Sequence, residues 1–300
     1  MLSVAIFAHN EEAHIGAALA AVAAAGIGPR DRVTVLVNGT TDRTMERVEA
    51  VAAEDPRVRG VEIAFGDKAN AWDVYVQHLA PEEAEAHVFI DGDVQVSHGS
   101  IALLRAALDA HPEALAASAL PRGGRRAEDW AARVLENHGL PGNFYALRGS
   151  VVARMRGRFW MPVGLIGDDT FLRNMLLRDL DPQAAPELAR IRPVPGARFD
   201  YRSFPLTSLA GVRALWRRHR RYALREAQMH VLMRHLARTG IAGLPRRIDA
   251  LYGAWSVWSD MRTARVGFGP RRLLFPLVIP PARRAAGQDL GAGLWYADED

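Results

Sequence analysis

Cysteine is absent from the 300 residues, which removes disulfides, thiolate nucleophiles, cysteine-ligated zinc and iron–sulfur clusters at once. Any metal must rest on carboxylates or imidazoles. Lysine is nearly absent too: of 38 cationic side chains only Lys68 is not an arginine, so its one position is informative. No apolar run approaches the roughly 20 residues of a membrane span, and no basic-then-apolar leader precedes the strand-like start at Val4. The expectation is a cytoplasmic chain without a transmembrane helix. A Walker lysine loop, a Gly-x-Ser-x-Gly elbow and a Gly-x-Gly-x-x-Gly after a strand are all missing, so P-loop, hydrolase and dinucleotide-binding readings lack their marks. The ten histidines show no metal-ligand spacing; His230 and His235 are five apart, off the i,i+4 face that helical zinc pairs use.

What is present is an ordinary globular composition, 49% hydrophobic and 24% charged, long enough for one large domain or two small ones. The formal charge of +4 hides a segregation. Residues 1–150 carry 13 basic and 21 acidic side chains, and residues 151–300 carry 25 and 13. A polyanion would go to the second half.

Val4–Ala8 is a β-branched apolar run followed by a polar turn and an alanine-rich helical stretch with Ile15, Leu19 and Val22 on one face. Val33–Val37 repeats the unit, with Asn38 to Asp42 as turn and cap before Met45, Val48 and Val51. A third strand is expected over Val61–Phe65, broken by Gly66–Asn70 before a helix from Ala71 to Leu79. The fourth, His87–Ile90, closes on Asp91-Gly92-Asp93 ahead of a helix over Ile101–Ala110. This alternation implies an α/β fold, a mostly parallel twisted sheet flanked by helices, with ligands at the carboxyl ends of the strands. Beyond Leu120 the pattern turns irregular: a basic loop over Pro121–Arg126, a returning strand over Gly142–Arg148, and a helix opening at Asp168-Asp169. A long basic helix follows from Leu206 to Arg238, then a second helix over Arg246–Arg262. The expected division is an α/β unit over residues 1–205 and a basic helical region over 206–300 packed on it.

Asp91-Gly92-Asp93 puts two carboxylates on one sharp turn at a strand end, a donor set suited to Mn²⁺ or Mg²⁺ bridging a diphosphate. Alone it also fits a solvated turn, and Asp168-Asp169 fits a plain helix cap and dipole complement. The order of several such motifs carries more. Ala8-His9-Asn10-Glu11, Asn38-Gly39-Thr40-Thr41-Asp42, Gly66-Asp67-Lys68-Ala69-Asn70-Ala71, Asp91-Gly92-Asp93 and Gly167-Asp168-Asp169 together resemble the inverting, metal-dependent glycosyltransferases of family 2, which have the nucleotide-diphospho-sugar transferase (GT-A) fold. The likeness covers about residues 1–225.

The resemblance implies that Ala8, His9, Asn10, Glu11 and Asn38 face the nucleobase and ribose, with Asn38 standing where the family often has Asp. It implies that Lys68 sits near the diphosphate, that Asp91 and Gly92 contact the donor, and that Asp93, with Asp91, holds the metal. Asp169 would be the general base, Asp168 the alternative. The donor would be a nucleoside-diphosphate sugar, UDP-linked, and the enzyme a hexosyl- or N-acetylhexosaminyl-transferase. The Gln-x-x-Arg-Trp motif of processive members is missing; its stretch reads Leu215 to Tyr222, in which Arg217, Arg218 and Arg221 could clamp the diphosphate or merely solvate a helix face. With no membrane span either, a single non-processive transfer is expected. The acceptor would be a glycan, a lipid-linked molecule or another small hydroxyl compound. Seventeen arginines against four acids from Asp200 to Arg284, interleaved with Trp216, Tyr222, Tyr252, Trp255 and Trp258, suit an anionic membrane surface at the inner face of the membrane as well as core packing. No nucleic-acid-binding pattern accompanies them. Two alternatives stay open. A haloacid-dehalogenase-type phosphatase would use Asp91 as nucleophile, but it needs a lysine between residues 94 and 167, and there is none. A catalytically silent nucleotide-sugar or membrane-surface binding protein would explain the departures from the family motifs.

Overall fold

The computed structural model describes residues 1–124, 126–201 and 209–252, with the backbone alone for 209–215, 217 and 218. Eight strands form one sheet: β1 (Leu2–Ala8), β2 (Arg32–Asn38), β3 (Val58–Ile63), β4 (Ala86–Asp91), β5 (Gln95–Val96), β6 (Ala116–Gly123), β7 (Phe144–Arg148) and β8 (Ile191–Asp200). The spatial order is β3-β2-β1-β4-β7-β6-β8-β5. The first four pair in parallel, β7 runs antiparallel between β4 and β6, β8 returns parallel to β6, and β5 caps the edge antiparallel to β8.

Helices cover both faces, as central parallel strands require. Alternation along β1 sends Val4, Ile6 and Ala8 to a core shared with α1 (Ile15–Ala24), α2 (Thr44–Glu54) and α4 (Ser100–Ala110). Ala5 and Phe7, with Leu36, Phe89 and Tyr145, point to the opposite core, built with α3 (Lys68–Val74), α6 (Gly149–Met155), α7 (Asp168–Leu176) and α8 (Leu209–Thr239). Trp72, Phe89 and Tyr145 stack there, and the indole Nε1 donates to the Tyr145 hydroxyl at 3.0 Å. Helix α5 (Ala127–Asn137) lies along β6. Among the described residues no helix is long and apolar enough to cross a membrane.

Four local expectations are corrected. The third strand begins three residues earlier than its apolar run, at Val58, because the sheet edge tolerates Arg59 and Glu62 facing solvent. The helix after it starts at Lys68, where Asp67 caps it by accepting from the Asn70 N–H at 2.9 Å, and its last turn widens to a π-turn over Tyr75–Leu79. Pro121–Gly123 of the expected basic loop extend β6 through two register shifts against β8. The second C-terminal helix does not start at Arg246, whose carbonyl accepts from the Val163 N–H at 2.9 Å; a short 3₁₀ turn, Ile248–Leu251, takes its place. The remainder of that helix, Trp255, Trp258 and all of 253–300 lie outside the described residues.

Candidate functional site

The carboxyl ends of β1, β2 and β4 and the start of α3 meet where the sheet order reverses between β1 and β4, the usual ligand crevice of an open α/β sheet. Ala8 ends β1, and its carbonyl accepts from the Asn38 Nδ2 at 3.0 Å; His9 Nδ1 lies 2.8 Å from the Asn38 carbonyl. Asn10 turns the chain with a positive φ of 54° and accepts from the Thr41 N–H at 2.9 Å. The Glu11 N–H donates to Thr44 Oγ1 at 2.8 Å, and the Glu11 carbonyl takes the first turn of α1. These four residues and Asn38 are thus knitted together, with the Asn38 amide largely committed to the β1 turn.

Gly92 donates its N–H to the Phe7 carbonyl at 2.8 Å, and a Cβ there would lie 2.9 Å from that oxygen, so only glycine lets the Asp91–Asp93 turn hug β1. The turn itself is closed by Val94 N–H to Asp91 carbonyl at 3.1 Å, with the half-buried Asp93 at its tip.

Lys68 is the centre of the cluster. Its Nζ lies 2.5 Å from Asp91 Oδ1 and 3.7 Å from Asp168 Oδ2, and it donates to the Gly142 carbonyl at 3.1 Å. Desolvation works against the ammonium here, yet the carboxylates of Asp91 and Asp168 outweigh it and hold the Lys68 pKa above the usual lysine range. Burial pushes Asp91 up to about 6 against the pull of Lys68. The other Asp91 oxygen accepts from Asn143 Nδ2 at 3.1 Å.

Asp168 and Asp169 open α7 after Gly167, which has a left-handed φ of 91°. Asp169 packs on Gly142, where a Cβ would fall 2.9 Å from its own Cβ. Burial raises the Asp169 pKa, and Arg225 on α8, its Nη2 3.6 Å from Oδ1, pulls the other way. Arg225 also donates to the Thr170 hydroxyl.

Lys68, Asp91 and Asp168 are therefore brought together across motifs 23 to 100 residues apart in the chain, and Asp169 joins them through α7. Arg221 lies exposed one turn before Arg225 on α8, and the side chains of Arg217 and Arg218 lie outside the described residues. Two contributors escaped the sequence reading. Arg225 was one of eight similar arginines on the expected helix, and Asn143 with the Gly142 carbonyl sat in a segment read only as a returning strand. Among the described residues no group of three or more His, Asp or Glu side chains forms a ready metal cage. The donor chemistry nevertheless fits a hard cation, which takes most of its oxygens from phosphates and water and needs one or two carboxylates from the protein.

A sequence model described as glycosyl transferase family 2 matches residues 3–178. No curated protein is a significant sequence match. Among solved structures, the mannosyltransferase PcManGT from Pyrobaculum calidifontis, in complex with GDP-Man and Mn²⁺, is similar with a TM-score of 0.58 at 18% identity over 95% of this chain and 85% of that one. TarS 1-349 of S. aureus, in complex with UDP-GlcNAc, is similar with a TM-score of 0.52 at 15% identity over 100% and 97%. At these identities the likeness concerns the fold alone.

Proposed function

We propose, because this chain belongs to glycosyl transferase family 2, that it moves one sugar from a nucleoside-diphosphate sugar, UDP-linked, to an acceptor hydroxyl with inversion at the anomeric carbon. Membership makes the chain a glycosyltransferase; donor, stereochemistry, acceptor and residue roles are the proposed part. The observation that carries the proposal is the meeting of Lys68, Asp91 and Asp168 at the strand ends, with Asp169 beside them. The family match takes the phosphatase reading away, since that chemistry would recruit Asp91 as nucleophile in a different fold.

The turn residues Ala8, His9, Asn10 and Glu11, with Asn38, line the nucleoside end. Lys68 gives up part of its pairing with Asp91 to the incoming diphosphate, which is the stronger anion. Asp93, with Asp91, would hold Mn²⁺, the metal named with the mannosyltransferase complex, or Mg²⁺; such an ion would neutralise the charge that builds on the departing diphosphate. The Asp169 carboxylate takes the proton from the acceptor hydroxyl as its oxygen bonds to the anomeric carbon, and the carbon–phosphate-oxygen bond breaks on the opposite face. One displacement inverts the centre. Arg221, Arg217 and Arg218 receive the nucleoside diphosphate as it leaves. The basic second half suits a glycan, lipid-linked or other acceptor that carries negative charge, and through it an anionic membrane surface.

Calorimetric titration with UDP and GDP, each with and without Mn²⁺, tests this directly. Binding of UDP that disappears on chelation is expected. Preference for GDP would reassign the donor, and no metal-dependent binding of either nucleotide would remove the transferase site from these residues.

A further inference from the structure

The segment from Phe159 to Gly167 delivers the two acidic residues into α7, and apart from one β-bridge at Val163 it is irregular. Its outer part is tied to its surroundings at several points. The Met161 N–H donates to buried Asp73 at 2.7 Å, Trp160 Nε1 to the Pro245 carbonyl at 3.1 Å, and the Gly164 N–H to Asp67 Oδ2 at 3.0 Å. The inner part is less favoured by its own chemistry. Gly164 and Gly167 both adopt left-handed backbone, φ 80° and 91°, so Leu165 and Ile166 hang between two residues of unusual conformational freedom.

One side chain bridges that stretch. Gln228, 1% exposed on α8, accepts from the Ile166 N–H through Oε1 at 2.7 Å and donates through Nε2 to the Gly164 carbonyl at 2.9 Å and to the Tyr252 hydroxyl oxygen at 2.7 Å. An amide is suited to this place: it supplies an acceptor and two donors without bringing a charge into the core. Three residues earlier on the same face, Arg225 reaches Asp169 and Thr170. The Gly167 backbone lies so close to the Arg225 side chain that a Cβ would fall 2.7 Å from its Cδ.

We infer that Gln228 is a positioning residue for sugar transfer, fixing the Gly164–Gly167 stretch so that the carboxylate base at the start of α7 faces the acceptor hydroxyl. The inference rests on the reading of Asp169, or Asp168, as the base. Its physical weight comes from geometry: a base displaced by about 1 Å can cost on the order of 100-fold in rate. Loss of the amide would take their shared partner from the Ile166 N–H and the Gly164 carbonyl.

The test uses the full-length chain with Gln228→Met, which keeps length and apolar bulk and removes all three hydrogen bonds. Transfer kinetics, Mn²⁺-dependent nucleotide binding by calorimetry, and amide hydrogen exchange over residues 163–170 are measured together. The expected result is a kcat lower by about 10- to 100-fold, with the donor KM and the nucleotide affinity unchanged, and faster exchange confined to 163–170. A merely structural role would lower the melting temperature and spread faster exchange through β1 and β4 without splitting kcat from KM. Unchanged exchange would show that Gln228 does not hold the segment, and faster exchange with an unchanged kcat would show that holding it does not matter for transfer; either overturns the inference. Should Gln228→Met fail to fold, Gln228→Glu, which keeps the acceptor for Ile166 and, ionised, loses the donor to Gly164, is read by the same criteria. If the wild-type chain transfers no sugar from any donor, the functional reading is what fails, while the exchange data still decide whether Gln228 holds the stretch.

Discussion

Asp169 is caught between burial, which resists its ionisation, and Arg225, which favours it. A carboxylate so balanced can stay charged at neutral pH and still be basic enough to accept a hydroxyl proton. Asp168 is engaged differently, 3.7 Å from the Lys68 ammonium, on the side of the cluster where Lys68 meets Asp91. Asp169→Asn should therefore keep nucleotide binding within about twofold and lower kcat by about 10²–10⁴-fold, whereas Asp168→Asn should weaken donor binding more than it slows turnover. Steady-state kinetics on the two variants decide between them: if Asp168→Asn alone abolished turnover, the roles would be reversed. A second residue-scale prediction concerns stability. His87 is buried in β4, its Nδ1 2.9 Å from the Tyr75 hydroxyl, which lies 2.8 Å from Ser3 Oγ. Burial, aided by the charge of Arg156, depresses its pKa from 6.5 to about 4. The unfolded chain then binds a proton that the folded chain refuses between those values, so stability rises with pH across that window. The contribution, about 3 kcal/mol, is complete above pH 6.5 and is lost as pH falls toward 4. Urea denaturation from pH 4 to 8 should show this slope in the wild type and a flatter one in His87→Leu.

Turns are what hold the crevice open between elements. The β2–α2 turn and the β3–α3 turn touch through a pair of glycines: Gly39 has a φ of 55°, and a Cβ on it would lie 2.3 Å from the Gly66 Cα, while a Cβ on Gly66 would sit 3.4 Å from the Gly39 Cα. The asymmetry predicts unequal mutants. Gly39→Ala must force two backbones apart and pay for left-handed backbone, a loss of at least about 2 kcal/mol, and it should raise the donor KM by loosening both turns. Gly66→Ala meets ordinary van der Waals contact and should stay within about 1 kcal/mol. Equal urea midpoints for the two variants would contradict this account. The same elements explain what the sequence made readable. β1, β2 and β4 are buried on both faces, so they appear as nearly continuous Val, Ile and Phe runs whose ends are marked by polar turn residues, and the residues proposed to meet the donor are those turn residues. β6 and β8 offered no such mark. Ala116-Ala117-Ser118-Ala119-Leu120 has no strand preference to speak of, and Ile191 to Asp200 carries Pro193, Pro195, Gly196 and three further polar or charged side chains that β-bulges accommodate only once a partner strand is present. Arg225 was unreadable for another reason: along a helix rich in arginine, only the packing of α8 against α7 tells which one meets a carboxylate.

At the scale of the whole molecule, the boundary expected near residue 205 is the question. We propose that the two regions fold as one unit, because the buried side chains of the second complete the core of the first. Ala223, Ala227, Leu232 and Leu236 of α8 belong to the same core as Phe89, Tyr145, Phe171 and Met175, and Leu224, Met229 and Met233 pack against it. Each fully buried leucine is worth roughly 1.5–3 kcal/mol, and removal of α8 also uncovers the part of α7 around Asn174, against which Met229 lies. Set against a total margin of about 5–15 kcal/mol for a domain, that loss is decisive. It also takes away Arg225 and Gln228, so the acidic end of α7 would lose its charge partner and its tether in one cut. A fragment of residues 1–205 should accordingly show no cooperative melt, bind a hydrophobic dye and fail to bind nucleotide, while the full chain melts in one transition. A fragment that melts cooperatively within a few degrees of the full chain and binds nucleotide with Mn²⁺ would show that residues 1–205 fold alone, and α8 would then be an accessory to the catalytic unit instead of one of its walls.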